Sequence, residues 1–490
     1  MFRSIVEAVV YHGENTPEKL CIVDETKALS YQEVLIRIND IAEKLKDIGI
    51  HRQDKVAVEC TQNADFLICG LACQLIGAIF VPLEKNASKA RVREIIKVTQ
   101  AQCFICEGEY EAVVNIIKAS EFFEPVKGIL QKWTELPEKD SVAEILYSTG
   151  TTGKAKGIVI THQNNVAVAE NIVYGTKMTQ DNVELVPMPL SHSHALRTCY
   201  ANFLNGSCVV LTDGVMRVKK VFELIEKYQV TAFDLSPSAA NVLIKFAKKQ
   251  LQKFSGQIAF IEIGSAALEE GLKEELCEMF PNSRLYNFYG STEAGRSCIL
   301  NFNQEKGRPG CIGRPTKNAR FMITNQDRKE IRSSKDNPGL LAVCGAMNMK
   351  EYLKAPKLTQ QTMCNGYIYT NDLGYIDEEG FVYVLGRMDD VINYNGIKIA
   401  PEEIESVVRG YFGVTDCACI PVEDAVCGQV PKIFVSVTKE SCFDTTGLLK
   451  YLSKHMESNK LPKKVEIIDK IPRTANGKIL RRELKEEIQR

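Results

Sequence analysis

An excess of charge of either sign is what this 490-residue chain lacks first. Its 61 Lys and Arg stand against 62 Asp and Glu, a formal net charge of −1. That balance favours neither nucleic acid nor an anionic membrane as partner. No internal repeat, low-complexity tract or long linker runs through it, which sets aside a repeat architecture. The stretch Met1-Phe2-Arg3-Ser4-Ile5-Val6-Glu7 has no uninterrupted apolar core and no cleavage pattern. No signal peptide is read there, and a cytoplasmic setting is expected. The one long apolar run, Phe66 to Leu83, contains Gln74 and is broken by Gly77 and Pro82. It predicts a buried helix ending near Gly77 and a strand from Ala78 to Leu83, not a transmembrane segment. Cysteine is plentiful at seventeen, but a framework is missing. Cys103-Phe104-Ile105-Cys106 has no second CxxC to complete a zinc site, so buried reduced thiols are expected.

The length calls for two or more packed units. Helical periods alternate with short apolar strands up to about residue 385. Glu33 to Leu45 is followed by Lys55 to Val58, Val218 to Tyr228 by Val230 to Phe233, and Leu272 to Phe280 by Arg284 to Phe288. This alternation predicts an α/β architecture with largely parallel sheets. From about 310 to 385, short strands and turns such as Asp377-Glu378-Glu379-Gly380 predict an antiparallel or barrel-like subdomain. The last hundred residues alternate again, with a helix at Pro401 to Arg409 and a strand at Lys432 to Val437. A domain boundary is expected in the polar stretch Gly386 to Asp390.

Five clusters carry candidate chemistry. Tyr147-Ser148-Thr149-Gly150-Thr151-Thr152-Gly153-Lys154-Ala155-Lys156-Gly157 combines glycines, hydroxyls and lysines behind an apolar run. Glycines admit backbone N–H groups close to anionic oxygens and lysines neutralise them, so the run reads as a polyphosphate cradle or as a polar loop. It is not a Walker A loop, because Ser148 stands where glycine is needed and Ala155 follows Lys154. Tyr286 to Gly295 ends a strand in aromatics and runs into Thr292 and Glu293, oxygen donors suited to a hard cation, or is a plain turn. Asp372 can accept two hydrogen bonds from a ribose diol or close an Asx-turn. Gly386-Arg387-Met388-Asp389-Asp390 leads to Asn393-Tyr394-Asn395-Gly396-Ile397-Lys398, and Pro472 to Lys478 forms a turn before a helix with apolar Leu480, Leu484 and Ile488.

Taken in order, these clusters make the chain resemble the acyl-adenylate-forming superfamily of acyl-CoA synthetases, peptide-synthetase adenylation domains and firefly luciferase. The resemblance runs from Leu29-Ser30-Tyr31 and Gly49 to Val58 through to the Lys478 turn, with Ala155 in place of the usual proline. It implies a large N-terminal domain, residues 1–388, of α/β sheets plus a β-barrel-like subdomain. A small mobile α+β C-terminal domain, residues 389–490, follows. It implies activation of a carboxylic acid to acyl-AMP with pyrophosphate release, then transfer to a thiol. ATP, Mg²⁺ and CoA are the implied cofactors, with the phosphopantetheine of an acyl carrier protein as the alternative acceptor and fatty acid metabolism as an implied setting.

By the same resemblance, Thr149, Gly150, Thr151, Thr152, Gly153 and Lys156 grip the pyrophosphate end of ATP. Gly264, Ser265 and Ala266 lie against adenine and acyl chain, while Asn287, Phe288 and Tyr289 frame the base. Thr292 touches phosphate and Glu293 ligates Mg²⁺. Asp372 and Arg387 hold the ribose, Asp389 is the hinge, Gly396 and Lys398 line the thiol tunnel, and Lys478 is the catalytic lysine. In Pro189-Leu190-Ser191-His192-Ser193-His194, His192 takes the acyl-pocket position as positioner and gate rather than base, since a carboxylate needs no deprotonation near pH 7. Phe233-Asp234-Leu235-Ser236 resembles an amine-binding motif of amino-acid-activating relatives. It falls far beyond the His192 segment where that motif belongs, so an α-amino acid substrate is disfavoured.

Overall fold

The computed structural model describes residues 2–85, 87–110, 114–124, 133, 135–148, 156–394, 397–424, 426–438, 443–474 and 477–487, without the side chains of 148, 397, 398, 459 and 487. Among these residues the strands form three sheets, of fourteen, seven and five strands.

The largest sheet has a parallel heart. Cys208–Leu211, Val183–Val186, Ala232–Leu235, Phe260–Ile263 and Arg284–Ser291 lie side by side, joined by helical crossovers. Gly295–Asn301 then turns the sheet antiparallel. Cys311–Pro315 pairs with it on one side and with Val382–Arg387 on the other, tying in the hairpins of residues 319–387. The expected antiparallel subdomain is therefore a continuation of the parallel sheet. The strand expected at Val230 begins two residues later. Gln229 leaves the preceding helix in the left-handed conformation, and Val230 N still bonds Ile225 O.

The seven-stranded sheet packs Lys55–Glu59, Ile79–Leu83, Cys103–Cys106 and Asn115–Lys118 in parallel, with the hairpin Val142–Ser148 and Lys156–Thr161 at its other side. The apolar run from Phe66 resolves as Ala64–Leu75, capped by Asn63, followed by the strand Ile79–Leu83. All twelve helical residues are buried, which is why the helix is apolar on every face. Its one charge, Asp65, is paired with Lys27 and Arg37. Among the described residues no helix is long and apolar enough to cross a membrane.

The sixteen described cysteines are free, and burial pushes the Cys103 and Cys106 thiols up to about 12 and 11. They stay protonated at neutral pH, and no cluster of metal-binding side chains occurs among the described residues.

The five-stranded sheet closes the chain. Gly428–Val437 lies between Val414–Asp424 and Lys464–Ile467, with Ile392–Tyr394 and Ile397–Ile399 at one end. The helices Pro401–Arg409 and Thr445–His455 bury Ile404, Val408, Leu448 and Leu452 against it. The last helix spans Arg481–Glu487 and buries Leu484, whereas Ile488 lies outside the described residues.

Candidate active site

The hairpin of Tyr367–Ile376 and Val382–Arg387 sets one wall. Its register pairs Asp372 with Arg387, whose Nη1 lies 3.9 Å from Asp372 Oδ1. Tyr289, from the end of the neighbouring strand, donates its hydroxyl to Asp372 Oδ2. Burial raises the Asp372 pKa, and Arg387 and Tyr289 counter part of that rise. Strand alternation sends Phe288 the other way from Asn287 and Tyr289. Its ring lies under the Arg296 guanidinium at 3.8 Å and meets the His194 edge at 4.8 Å. Gly264 backs onto the same ring so closely that an added Cβ would fall 2.2 Å from Phe288 Cζ.

Thr292 and Glu293 sit where that strand turns back into Gly295–Asn301. Three groups fix the turn. The buried Arg197 guanidinium donates to Ser291 O at 3.1 Å and Thr292 O at 2.9 Å. Met349 N donates to Glu293 O at 2.7 Å. Tyr352 donates its hydroxyl to Glu293 Oε1 at 2.8 Å, and the Lys156 ammonium lies 5.9 Å from the Tyr352 ring centre. Burial lowers the Arg197 pKa to about 10, which leaves the side chain cationic at neutral pH. Lys156 pairs with Ser148 across the hairpin, so these strands define both ends of the glycine run. Thr149, Gly150, Thr151, Thr152 and Gly153 themselves lie outside the described residues, as do Gly396 and the side chain of Lys398.

The first turn of the buried helix Ser193–Asn205 spans the gap between these groups and the strand end at Gly264. Ser193 Oγ is 3.0 Å from Thr292 Oγ1. His192, at the helix N-cap, lies 3.6 Å from Glu84, and burial lowers its pKa against the pull of that carboxylate. His194 reaches Ser265 Oγ with Nδ1 at 2.6 Å and Asp234 Oδ1 with Nε2 at 2.5 Å. Behind it Arg296 bonds Glu262 and Thr198, and Thr198 donates to Asp234 Oδ2 at 2.9 Å. Removing one member of such a buried ionic group typically costs about 3–5 kcal/mol, because the partner is left uncompensated.

Lys478 arrives from the far end of the chain. Arg473 grips Asp416 with two hydrogen bonds, Thr474 N donates to Lys478 O at 2.8 Å, and Gly477 takes φ +82. The turn abuts the start of the helix Pro237–Gln252, where a Cβ on Gly477 would lie 3.2 Å from Ser238 Oγ. Arg409 bonds Glu269 at 3.1 Å across the same junction. The environment lowers the Lys478 pKa through desolvation and the positive Arg387, opposed by Asp372 and Asp390. Asp389 accepts a hydrogen bond from Asn371, and its carbonyl lies 3.3 Å from Lys485 Nζ.

The structure thus gathers Lys156, Ser265, Phe288, Tyr289, Thr292, Glu293, Asp372, Arg387, His192 and Lys478 around one region. Sequence reasoning missed Tyr352, Arg197, Glu84 and the His194–Asp234 pair. Of these only Asp234 carried a local signal, in Phe233-Asp234-Leu235-Ser236. It stands in the strand Ala232–Leu235 before Pro237, as its spacing implies, yet it touches the segment that holds His192.

A family model described as AMP-binding enzyme matches residues 9–353, and one described as AMP-binding enzyme C-terminal domain matches residues 403–478. The 4-coumarate-CoA ligase 1 of Narcissus pseudonarcissus is 26% identical over 499 residues, spanning 96% of this chain and 90% of the relative. Among solved structures, o-succinylbenzoate CoA synthetase from Bacillus subtilis, in complex with its acyl-adenylate intermediate OSB-AMP, is 25% identical with a TM-score of 0.87. The match covers 98% of this chain and 97% of that one. ATP-bound MatB from Rhodopseudomonas palustris shares the fold at a TM-score of 0.90 and 22% identity, covering 100% of this chain and 99% of that one.

Proposed function

The chain belongs to the AMP-binding enzyme family and carries that family's C-terminal domain, and from this we infer that it is an AMP-forming acid–CoA ligase. It activates a carboxylic acid with ATP to acyl-AMP and pyrophosphate, then passes the acyl group to the thiol of CoA. The observation that carries this reading is the approach of Lys478 to Asp372 and Arg387, more than ninety residues away in sequence.

The attack of a carboxylate on the α-phosphorus joins two anions, so positive charge must gather where they meet. Lys478 supplies it from the C-terminal side, and Lys156 with the Thr149 to Gly153 loop holds the pyrophosphate that leaves. Asp372 accepts hydrogen bonds from the ribose diol, with Arg387 and Tyr289 holding its carboxylate in place. Gly264, Ser265 and Ala266 line the adenine and acyl side, and Asn287, Phe288 and Tyr289 close round the base. His192 gates the acyl end and positions the acid.

A magnesium ion fits the turn at Thr292 and Glu293. A single carboxylate with one oxygen engaged by Tyr352, beside a hydroxyl, suits a cation that takes its remaining ligands from phosphates and water. When bound, it neutralises phosphate charge as a Lewis acid.

The second half-reaction calls for the removal of Lys478. We read residues 1–388 and 389–490 as two bodies hinged at Asp389, with Gly396 and Lys398 brought in to form the thiol tunnel once the lysine has swung out. The relatives named do not point to fatty acid metabolism in particular.

Acid-dependent exchange of labelled pyrophosphate into ATP, over short, long and aromatic acids, tests the first half. AMP release with free CoA or with a phosphopantetheinylated carrier protein tests the second. No exchange with any acid refutes the reading, and stimulation by carrier protein alone replaces CoA as acceptor.

A further inference from the structure

Arg197 is 3% exposed, yet its guanidinium reaches the turn where Thr292 and Glu293 stand. Nη1 donates to Ser291 O at 3.1 Å and Nη2 to Thr292 O at 2.9 Å. These are consecutive carbonyls, and they belong to the two peptide planes that flank Thr292. Each plane is rigid, so the two turn against each other only through the φ and ψ of Thr292. A planar guanidinium that holds both carbonyls at once fixes the backbone of that residue, and with it the point from which Glu293 departs. A lysine ammonium is a point charge without that fork.

The helix that carries Arg197 is itself tied at both ends. Ser193, Arg197 and Tyr200 stand at i, i+4 and i+7 of Ser193–Asn205 and share one face. Ser193 Oγ lies 3.0 Å from Thr292 Oγ1, so this face holds Thr292 by its side chain as well as its backbone. Further along, Tyr200 donates to Glu144 Oε2 at 2.7 Å and accepts from Gln74 Nε2 at 3.2 Å. Glu144 lies in the strand Val142–Ser148, which leads into the glycine run. One helix face therefore joins the Thr292 turn to the sheet that carries the other wall of the phosphate site.

A guanidinium so buried cannot touch the nucleotide. Resting on the adenylation reading above, we propose that Arg197 is a positioning residue for the phosphate end of ATP. It sets the turn so that the Thr292 hydroxyl and the Glu293 carboxylate meet the phosphates and the magnesium they carry. The base and ribose side has other supports: Phe288 lies under Arg296, and Asp372 is held by Tyr289 and Arg387. The effect of Arg197 is thereby confined to the phosphates.

The test uses the full-length enzyme and equilibrium binding by calorimetry, with two probes. One is ATP with excess Mg²⁺; the other is adenosine, which has base and ribose but no phosphate. Arg197→Met removes both donors at similar volume. Its Kd for ATP with Mg²⁺ is expected to rise about tenfold, within the usual effect of groups that orient metal ligands, while that for adenosine stays unchanged. The KM for ATP in pyrophosphate exchange should rise with it. Arg197→Lys keeps the charge and loses the fork, so ATP binding stays weakened there too. Should Arg197→Met not fold, Arg197→Lys decides alone. Unchanged ATP binding, equal weakening of ATP and adenosine, or a lysine variant that matches the parent each overturns the inference while leaving adenylation standing. A parent enzyme that neither binds ATP nor supports exchange with any acid overturns both.

Discussion

Asn371 donates a hydrogen bond from Nδ2 to Asp389 Oδ2 at 2.7 Å, and its carbonyl accepts from Met388 N at 2.9 Å. The residue next to Asp372 thus clasps the segment that leads into the C-terminal sheet. Asn371 does so from a left-handed backbone, φ +63, which asparagine tolerates better than most residues. The geometry links the strand that carries Asp372 to the proposed hinge.

Asn371→Gly removes the side-chain bond to Asp389 and keeps the backbone conformation and the bond from Met388 N. Adenylation is expected to fall about three- to tenfold, the cost of one ordinary, solvent-exposed hydrogen bond. Thioester formation from supplied acyl-AMP is expected to hold or rise. Separate assays of the two half-reactions read the difference, and an equal loss in both would remove the clasp from the domain alternation.

Lys478→Ala should lower the adenylation rate on the order of 10²–10³-fold, the usual cost of losing one donor to developing charge. Thioester formation from added acyl-AMP should be spared. Comparable losses in both steps would leave the lysine without its assigned role.

Tyr352→Phe leaves Glu293 without its hydroxyl partner while preserving the ring. Outer partners of metal ligands commonly matter 10–100-fold in affinity. The Mg²⁺ concentration for half-maximal pyrophosphate exchange should rise by about tenfold, with little change in thermal stability. An unaltered magnesium titration argues that Glu293 is held by other means.

His162 gives the fold a pH dependence. It is 1% exposed, and neither ring nitrogen finds a hydrogen-bond partner among the described residues. Burial, helped by Arg52, lowers its pKa from 6.5 to about 4. Between those values the unfolded chain binds the proton that the folded one refuses, so stability rises with pH through that window. It is complete above about 6.5 and is lost as pH falls towards 4. The drop is worth about 3 kcal/mol at about 1.36 kcal/mol per pH unit. His162→Phe should flatten this part of the urea-midpoint profile between pH 4.5 and 7, and an unchanged slope would assign it to other groups.

Much of the fold was legible because its cause is local. The alternation of amphipathic helices with short apolar strands announced a parallel sheet, and Gly77 marked where the apolar helix ends, whereas Pro82 sits within the strand that follows. Boundaries slipped where a helix exit decided them, as at Gln229 and Val230. In the site, Lys156, Glu293, Asp372 and Lys478 stood out through the order of their clusters along the chain, which carries the family resemblance; taken singly, each run also read as a loop or turn.

Tyr352, Arg197 and Glu84 gave no such signal. Tyr352 matters because Glu351–Tyr352 pairs as an edge strand beside Lys156–Thr161, which carries its hydroxyl to a carboxylate 59 positions earlier. Arg197 lies on a buried helix face and donates to the carbonyls of a turn about ninety-five residues later. Asp234 was visible but misleading in isolation, since its neighbours in sequence say nothing of His194.

The sequence by itself determined the alternating elements, the phosphate-friendly glycine run and the order of the charged motifs, since these follow from composition and spacing along the chain. Only the tertiary structure decided which charges face one another and which side chains meet. A pair such as His194 and Asp234 exists through burial and strand register, and both depend on contacts between residues far apart in the chain.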